Sequence, residues 1–400
     1  MVKPAFELPI TARDGALRFH AAFTLLRDAI EARVTPGASF GVLYRGEVLA
    51  LEAAGRLTYE PDSPEVCRAT IYDLASLTKV MATTTATMQL YERGLLDLDW
   101  PVGKLLPGFV ADCQATSDRH RVTLRMLLAH CSGLPGYARL FEQNHDRAAM
   151  LHTTERLTLT ARPGERAEYS DPGFILLGRI VEVLTGQPLD RYCADQIFTP
   201  QGLSSLVFCP PAAWREQIPP TEIDASFRHR LIQGEVQDEN CAAMGGVSGH
   251  AGLFGHAYDL LRFASLLLGA AEKKGMPQTA QALPALSATG QPPLGLTKKT
   301  IDLFTTRQSS PTETTRALGW DTPSVPHSSS GHFFGAKSFG HLGYAGTSLW
   351  LDPEQELAVV LLTNRTWPDR SNKQIQQLRP AFHDAIVQAL DEAKHSALSR

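Results

Sequence analysis

Residues 73–94 read Asp73-Leu74-Ala75-Ser76-Leu77-Thr78-Lys79-Val80-Met81 and continue ATTTATMQLYERG to Gly94. The stretch predicts a helix. Asp73 or Ser76 suits the N-cap, and Gly94 suits the position just past the C-terminus. Three residues apart on a helix, Ser76 and Lys79 share a face. A serine hydroxyl is a weak nucleophile until something takes its proton. A neutral amine held beside it in a partly desolvated site can do that. A serine at a helix start also gains from the amides and dipole there, which favour developing negative charge. The chain has 23 Ser and 10 Lys among 400 residues, and Ser76/Lys79 is its only Ser-x-x-Lys pair. Chance alone yields roughly 0.6 such pairs, so the pair needs company before it carries weight.

Working outward, residues 17–33 repeat apolar side chains at helical spacing: Leu17, Phe23, Leu25, Leu26 and Ile30. Residues 38–55 read as two strands around Arg45-Gly46-Glu47, a hairpin. Helical patterns dominate the middle, at Thr123–His130, Pro172–Leu184 and Tyr258–Leu268. Residues 283–334 are Pro-, Ser-, Gly- and Thr-rich and read as irregular, a possible rim or lid. Three strands follow, in 336–343, 346–352 and 357–364, with a turn at Asp352-Pro353-Glu354. A helix from about Pro380 closes the chain, with Phe382, Ile386, Ala389 and Leu390 on one face. This order predicts an α+β fold: an antiparallel sheet built from both chain ends, flanked by helices, with a mainly helical domain inserted. The expected division is 1–75 plus 300–400 for the sheet domain and 76–299 for the helical one. A chain of 400 residues exceeds what one core usually serves, which agrees with two lobes.

Composition excludes several classes. The formal net charge is −4, from 38 Lys+Arg against 42 Asp+Glu, so no basic surplus points to nucleic acid. The apolar runs are far short of the ~20 residues a membrane span needs. Residues 1–19 hold no apolar run of signal-peptide length, and the six cysteines are scattered without a Cys-x-x-Cys pair. A cytoplasmic protein with reduced thiols is expected. The 13 histidines lack a His-Glu-x-x-His pattern, so no metal is expected and no cofactor is implied.

The company of Ser76 is ordered along the chain. Leu127 to Pro135 (LLAHCSGLP) is followed by Pro163-Gly164-Glu165 and Glu168-Tyr169-Ser170-Asp171, and then by Gly178 in a helix. Gly245 to Phe254 (GGVSGHAGLF) and Gly340 to Trp350 (GHLGYAGTSLW) come later. Over roughly residues 18–392, nearly the whole chain, the sequence resembles the β-lactamase-like serine hydrolases: class C β-lactamases, DD-peptidases, D-aminopeptidases and family VIII carboxylesterases. Their three hallmarks are Ser-x-x-Lys, Tyr-x-Asn and Lys/His-x-Gly. Here they stand as Ser76/Lys79, Tyr169-Ser170-Asp171 and His341-Leu342-Gly343.

The resemblance implies that Ser76 forms an acyl-enzyme and that Tyr169 completes a relay with Lys79. Either Lys79 or Tyr169 is the formal base, since coupled groups titrate as a unit. It implies an oxyanion hole from the backbone amides of Ser76 and Tyr344. Asp171, His341, Leu342 and Gly343 would face the substrate, and Gly343 and Gly346 would let it approach the strand closely. Two departures matter. Asp171 replaces an Asn that donates to the substrate amide carbonyl, and a carboxylate only accepts. It is expected to pair with Lys79 instead. His341 and Leu342 replace the Lys-Thr that grips a substrate carboxylate, and imidazole is mostly neutral at pH 7. Both changes favour small neutral esters as the acyl substrate. Amide or β-lactam hydrolysis is the alternative, and an inactive binding protein a further one. His130 and His250 are expected to serve mainly as structural hydrogen-bonding groups. Cys131 is expected to be packed, and Arg228-His229-Arg230 to form a solvated face. Trp320 and Trp350 are candidate pocket walls, with packing the default for Trp350. The sequence leaves the oligomeric state open.

Overall fold

The computed structural model describes residues 15–144, 146–269 and 292–398. Part of the irregular segment, 283–291, and the first fourteen residues lie outside that range. Helix α1 (His20–Glu31) precedes a hairpin of β1 (Gly37–Tyr44) and β2 (Glu47–Gly55). Arg45 and Gly46 at the turn both have positive φ, 52° and 84°, the backbone that lets a two-residue hairpin match strand twist. Strand β3 (Tyr72–Asp73) leads to Ser76 and then a helical segment whose second part is α2 (Thr85–Glu92). Next come α3 (Leu124–Leu128) and α4 (Asp171–Thr185). Short strands β4 (Val207–Phe208), β5 (Glu222–Asp224) and β6 (Arg230–Ile232) precede α5 (Glu239–Ala243). After β7 (Leu253–Gly255) and α6 (Ala257–Leu267) the chain returns through β8 (Phe339–Leu342), β9 (Ser348–Asp352) and β10 (Leu357–Thr363). Helix α7 (Ile375–Leu398) ends it.

The main sheet has the order β2-β1-β10-β9-β8, antiparallel throughout. Strands from both chain ends therefore meet at its centre, where Gly41 faces Val360. Period-2 alternation assigns the two faces. Phe40, Val42, Leu357, Val359 and Leu361 pack with Leu26 of α1 and with Phe382 and Ile386 of α7. Leu43, Ala358, Val360 and Leu362 turn to the other side, against Leu260, Leu261 and Ala264 of α6. A strand buried on both faces reads as a continuous apolar run, which LAVVLLT does. Trp320 and Trp350 are buried in these cores, so packing is their role.

Two element boundaries differ from expectation. The helix expected from Asp73 begins at about Leu77, because Asp73 is held in β3 by pairing with Phe254 of β7. Residues Lys79–Thr84 form a π-helical turn rather than regular α-helix. The segment is rich in threonines that bond back to carbonyls: Thr78 to Ala75, Thr85 to Val80 and Thr87 to Thr83. Such bonds compete with the regular ladder, and π turns cluster at functional sites. Helix α7 begins at Ile375, more than a turn before Pro380. Among the described residues no helix is long and apolar enough to cross a membrane. All six cysteines are unpaired, and Cys131 is buried.

Candidate active site

Ser76 stands in the turn between β3 and the π-helical segment. Ala75 just before it has φ +48°, a left-handed conformation unusual for a side-chain-bearing residue. Asp73 Oδ1 accepts from the Ala75 amide at 2.8 Å and stabilises this turn. Lys79, fully buried, donates from Nζ to Ser76 Oγ at 2.9 Å and to the His250 carbonyl at 3.1 Å. It also forms an ion pair with Asp171 Oδ1 at 2.7 Å. These three acceptors match the three protons of an ammonium.

Tyr169 and Asp171 flank Ser170, which caps α4. The Ser170 hydroxyl accepts from the Gly173 amide at 3.2 Å and donates to the Pro135 carbonyl at 2.8 Å. His130 fixes the same residue from below, its Nδ1 accepting from the Ser170 amide at 2.9 Å. Ser76 and Lys79 both act on the Tyr169 hydroxyl, and the Lys79 ammonium lies 4.8 Å from the Tyr169 ring centre. Ser76, Lys79, Tyr169 and Asp171 thus come together from segments up to 95 positions apart.

Electrostatics define the resting protonation. Burial works to lower the Lys79 pKa, but Asp171 and Tyr169 outweigh it and hold the amine above its ordinary value. Burial, with help from Asp171, raises the Tyr169 phenol against the opposing pull of Lys79. Lys79 rests as the ammonium and Tyr169 as the neutral phenol. Burial pushes His341 well below the usual imidazole range, and the nearby positive charges of Lys79 and Arg316 push it further. Its Nδ1 lies 2.8 Å from the Leu342 carbonyl, so the proton sits there and Nε2 keeps a free lone pair. Nε2 is buried without a partner.

Comparison with known proteins settles the family. The family model described as Beta-lactamase matches residues 24–380. This chain belongs to the beta-lactamase family. It is 33% identical over 327 residues to a protein of Escherichia coli (strain K12) named "Putative D-alanyl-D-alanine carboxypeptidase", covering 74% of this chain and 69% of that one. A protein of Salmonella typhi with the same name is 31% identical over 337 residues, covering 76% and 72%. A class C β-lactamase from Rhodobacter sphaeroides superposes with a TM-score of 0.68 at 21% identity, covering 93% of this chain and 99% of that one. EstCE1, described as a hydrolase with promiscuous acyltransferase activity, superposes at 0.67 and 23%, covering 93% and 99%. These two likenesses establish the β-lactamase/transpeptidase-like α+β fold.

In this beta-lactamase-family chain, Ser76 stands where two hollows meet, and Tyr169 and Tyr344 also line both. One is a cavity of about 630 Å³ with Asp171, Gln237, Asp238 and His250 in its wall. The other is a cleft of about 310 Å³ along His341, Leu342 and Gly343. Arg316, Arg365, Lys373 and Arg379 line the cleft, and the sequence reading missed all four. Arg379 donates to the carbonyls of Gly343 and Thr347, and Arg365 to that of Tyr344. Arg316 is paired with Asp321 at 3.5 Å. Among the described residues no carboxylate pairs with Arg365, Lys373 or Arg379. Burial, with the neighbouring Arg365, pushes the Arg379 guanidinium down to about 9.

Gly343 and Gly346 owe their small size to internal contacts. A Cβ on Gly343 would lie 2.0 Å from Thr347 Oγ1 and 2.6 Å from the Leu74 carbonyl. One on Gly346, at φ +105°, would meet Thr363 Oγ1 at 1.9 Å. Among the described residues no acceptor takes the amide of Ser76 or of Tyr344. His250 bonds Asp238 at 2.8 Å and Ser248 at 2.8 Å, in addition to presenting its carbonyl to Lys79. Arg228 is not part of a solvated face. Its guanidinium is largely buried, bonded to Asp224 and to the carbonyls of Val236 and Gln237, because β5 and the following loop fold over it.

Proposed function

We propose that this protein forms an acyl-enzyme on Ser76 and that its substrate's leaving group carries a carboxylate. The observation that carries the reading is the cationic cleft beside Ser76. The expectation of small neutral esters rested on two departures, Asp171 in place of Asn and the loss of a cation at His341, and the second is the one the cleft answers. Arg365, Lys373 and Arg379 supply positive charge there from other segments. The names of the Escherichia coli and Salmonella relatives agree with an amide-cleaving, carboxylate-recognising reaction.

In this reading the Lys79–Tyr169 unit, once it has lost one proton, takes the Ser76 hydroxyl proton as Oγ bonds to the acyl carbon. The developing oxyanion meets the amides of Ser76 and Tyr344. The leaving group then takes the proton from the same unit as its bond to the acyl carbon breaks. Water repeats the sequence on the acyl-enzyme and frees Ser76. Asp171 holds the ammonium form of Lys79 in place between turnovers. The chain divides in this reading into a sheet unit, 1–75 with 300–400, and a mainly helical unit, 76–299, with α6 of the second lying across the sheet of the first. Neutral-ester hydrolysis is the second reading, favoured by the acceptor-only Asp171.

The test compares wild type with Ser76→Ala on a D-alanyl-D-alanine peptide, its C-terminal amide, a chromogenic cephalosporin and a short-chain nitrophenyl ester. Release of D-alanine, lost in Ser76→Ala and at least tenfold slower from the amidated peptide, supports the proposal. Ester turnover without peptide turnover supports the second reading. No turnover and no covalent fluorophosphonate adduct on Ser76 would favour a binding protein.

A further inference from the structure

The loop that enters β7 reads Ser248-Gly249-His250-Ala251-Gly252-Leu253. Its His250 carbonyl is one of the three acceptors around the Lys79 ammonium, at 3.1 Å. Any residue can offer a carbonyl, and the glycines on either side give this backbone more freedom than most. The side chain of the same residue fixes the direction. His250 carries the only side chain larger than a methyl group between Ser248 and Leu253, and it is buried. Its Nε2 lies 2.8 Å from Asp238 Oδ1, and its Nδ1 lies 2.8 Å from the Ser248 hydroxyl. A carboxylate only accepts, so Nε2 is the donor to Asp238.

Asp238 is itself fixed. Its Oδ1 also accepts from the Cys241 amide at 2.7 Å, as the cap of α5. One residue earlier, the Gln237 amide donates to Asp73 Oδ2 at 2.7 Å, and Asp73 Oδ1 holds the Ala75 amide beside Ser76. The loop is tied to the Lys79 segment on both sides of His250. Thr83 donates to the Gly249 carbonyl at 2.7 Å, and the Leu253 amide donates to Thr78 at 3.1 Å. Burial works to raise the Asp238 carboxyl, but His250 outweighs it, with help from Lys79, and the group lies at about 2. The groups that face Lys79 are Asp171 and Tyr169 at the start of α4, Asp238 before α5, His130 after α3 and His341 of β8.

We propose that His250 and Asp238 are positioning residues, whose side-chain bond aims the His250 carbonyl at Lys79 and so keeps the amine 2.9 Å from the Ser76 hydroxyl. The proposal rests on the reading of Ser76 as the acylated residue, and its test separates the two.

The first measurement is the pH profile of kcat/KM on a short-chain nitrophenyl ester. His250→Ala leaves both carboxylates in place. Its plateau should fall about tenfold, and its rising limb should move about one unit lower, because an ammonium short of an acceptor gives up its proton more readily. Should His250→Ala fold poorly, Asp238→Ala removes the brace from its other end and carries the same test. Asp238→Asn keeps an oxygen for both bonds and should retain most of the wild-type plateau. A merely structural role lowers the rate at every pH without moving the limb, so an unmoved limb overturns the proposal.

The second measurement needs no turnover. In spectra of 15N-lysine-labelled protein at pH 7, the Lys79 ammonium is assigned by its absence in Lys79→Arg. Its protons should exchange about tenfold faster in His250→Ala and Asp238→Ala than in wild type and Asp238→Asn, the factor that one hydrogen bond is worth. Equal exchange in all four proteins, or an ammonium already unprotected in wild type, overturns the proposal. The expected exchange pattern without any wild-type ester turnover supports the brace while overturning acylation at Ser76.

Discussion

At Lys79, three acceptors and a buried setting make one charge state dominate. Asp171 is the reason: without it, burial would favour the neutral amine. The same carboxylate helps burial to raise the Tyr169 phenol. The proposed reaction needs the unit one proton short, so kcat/KM is expected to rise with pH towards the apparent pKa of the pair. Asp171→Asn removes a negative charge near both groups and lowers both. The rising limb should therefore move to lower pH, by about one unit, in a pH profile of ester turnover. A limb that stays in place would mean Asp171 does not set the charge of the relay. Much of this was legible in the sequence, because departure from Tyr-x-Asn at Asp171 is visible in one residue, and a carboxylate near an amine pairs with it. The cations of the cleft were not legible. Arg365 and Arg379 sit in segments that read as a strand end and a helix, with no motif to tie them to Ser76.

At the scale of elements, the start of α4 carries two site residues. Ser170-Asp171-Pro172 is a readable helix start, with a capping hydroxyl and a proline in the first turn. Ser170→Ala should cost about 1 kcal/mol in urea unfolding, the usual worth of a cap. It should also lower kcat/KM several-fold, since Tyr169 and Asp171 lose their shared anchor to Pro135. An unchanged kcat/KM would show that His130 alone keeps them in place. The turn after β8 offers a second check. Gly343→Ala forces a Cβ against Thr347 and the Leu74 carbonyl, and overpacking of this kind costs about 1–3 kcal/mol. A variant as stable as wild type would mean the turn yields freely. Helix boundaries were less legible than helix existence. Asp73 looks like a cap locally, but its pairing with Phe254, 181 positions away, makes it a strand residue.

For the whole molecule, several imidazoles are buried neutral. Burial pushes His383, wedged between Ser348 of β9 and the Ser329 carbonyl, down to about 4. Burial likewise lowers His130 and His341 well below the usual range. In the unfolded chain each takes a proton near pH 6.5, while in the folded chain none does until well below that. Stability should thus fall as pH drops from about 6.5, with His383 alone accounting for about 3 kcal/mol by pH 4. Asp73 acts the other way. Burial raises its carboxyl to about 6, so it gains stability as pH falls through that value and offsets part of the loss. Urea midpoints at pH 7, 6 and 5 should still decrease, and the slope should lessen in His383→Gln. Equal midpoints would show that the histidines are not held neutral.

Local patterning alone was enough for the strands at both ends and the helices between them, and the resemblance carried by the ordered motifs added Tyr169 and His341 to Ser76. Period-2 and helical spacing, caps and turn residues act over a few positions, and that range is visible in a linear text. The register that sets Gly41 against Val360, the burial that makes Asp171 decisive for Lys79 and the cluster of cations beside His341 belong to the folded chain. They depend on contacts between residues tens to hundreds of positions apart, and on burial, which changes what a charge or a hydrogen-bond donor costs.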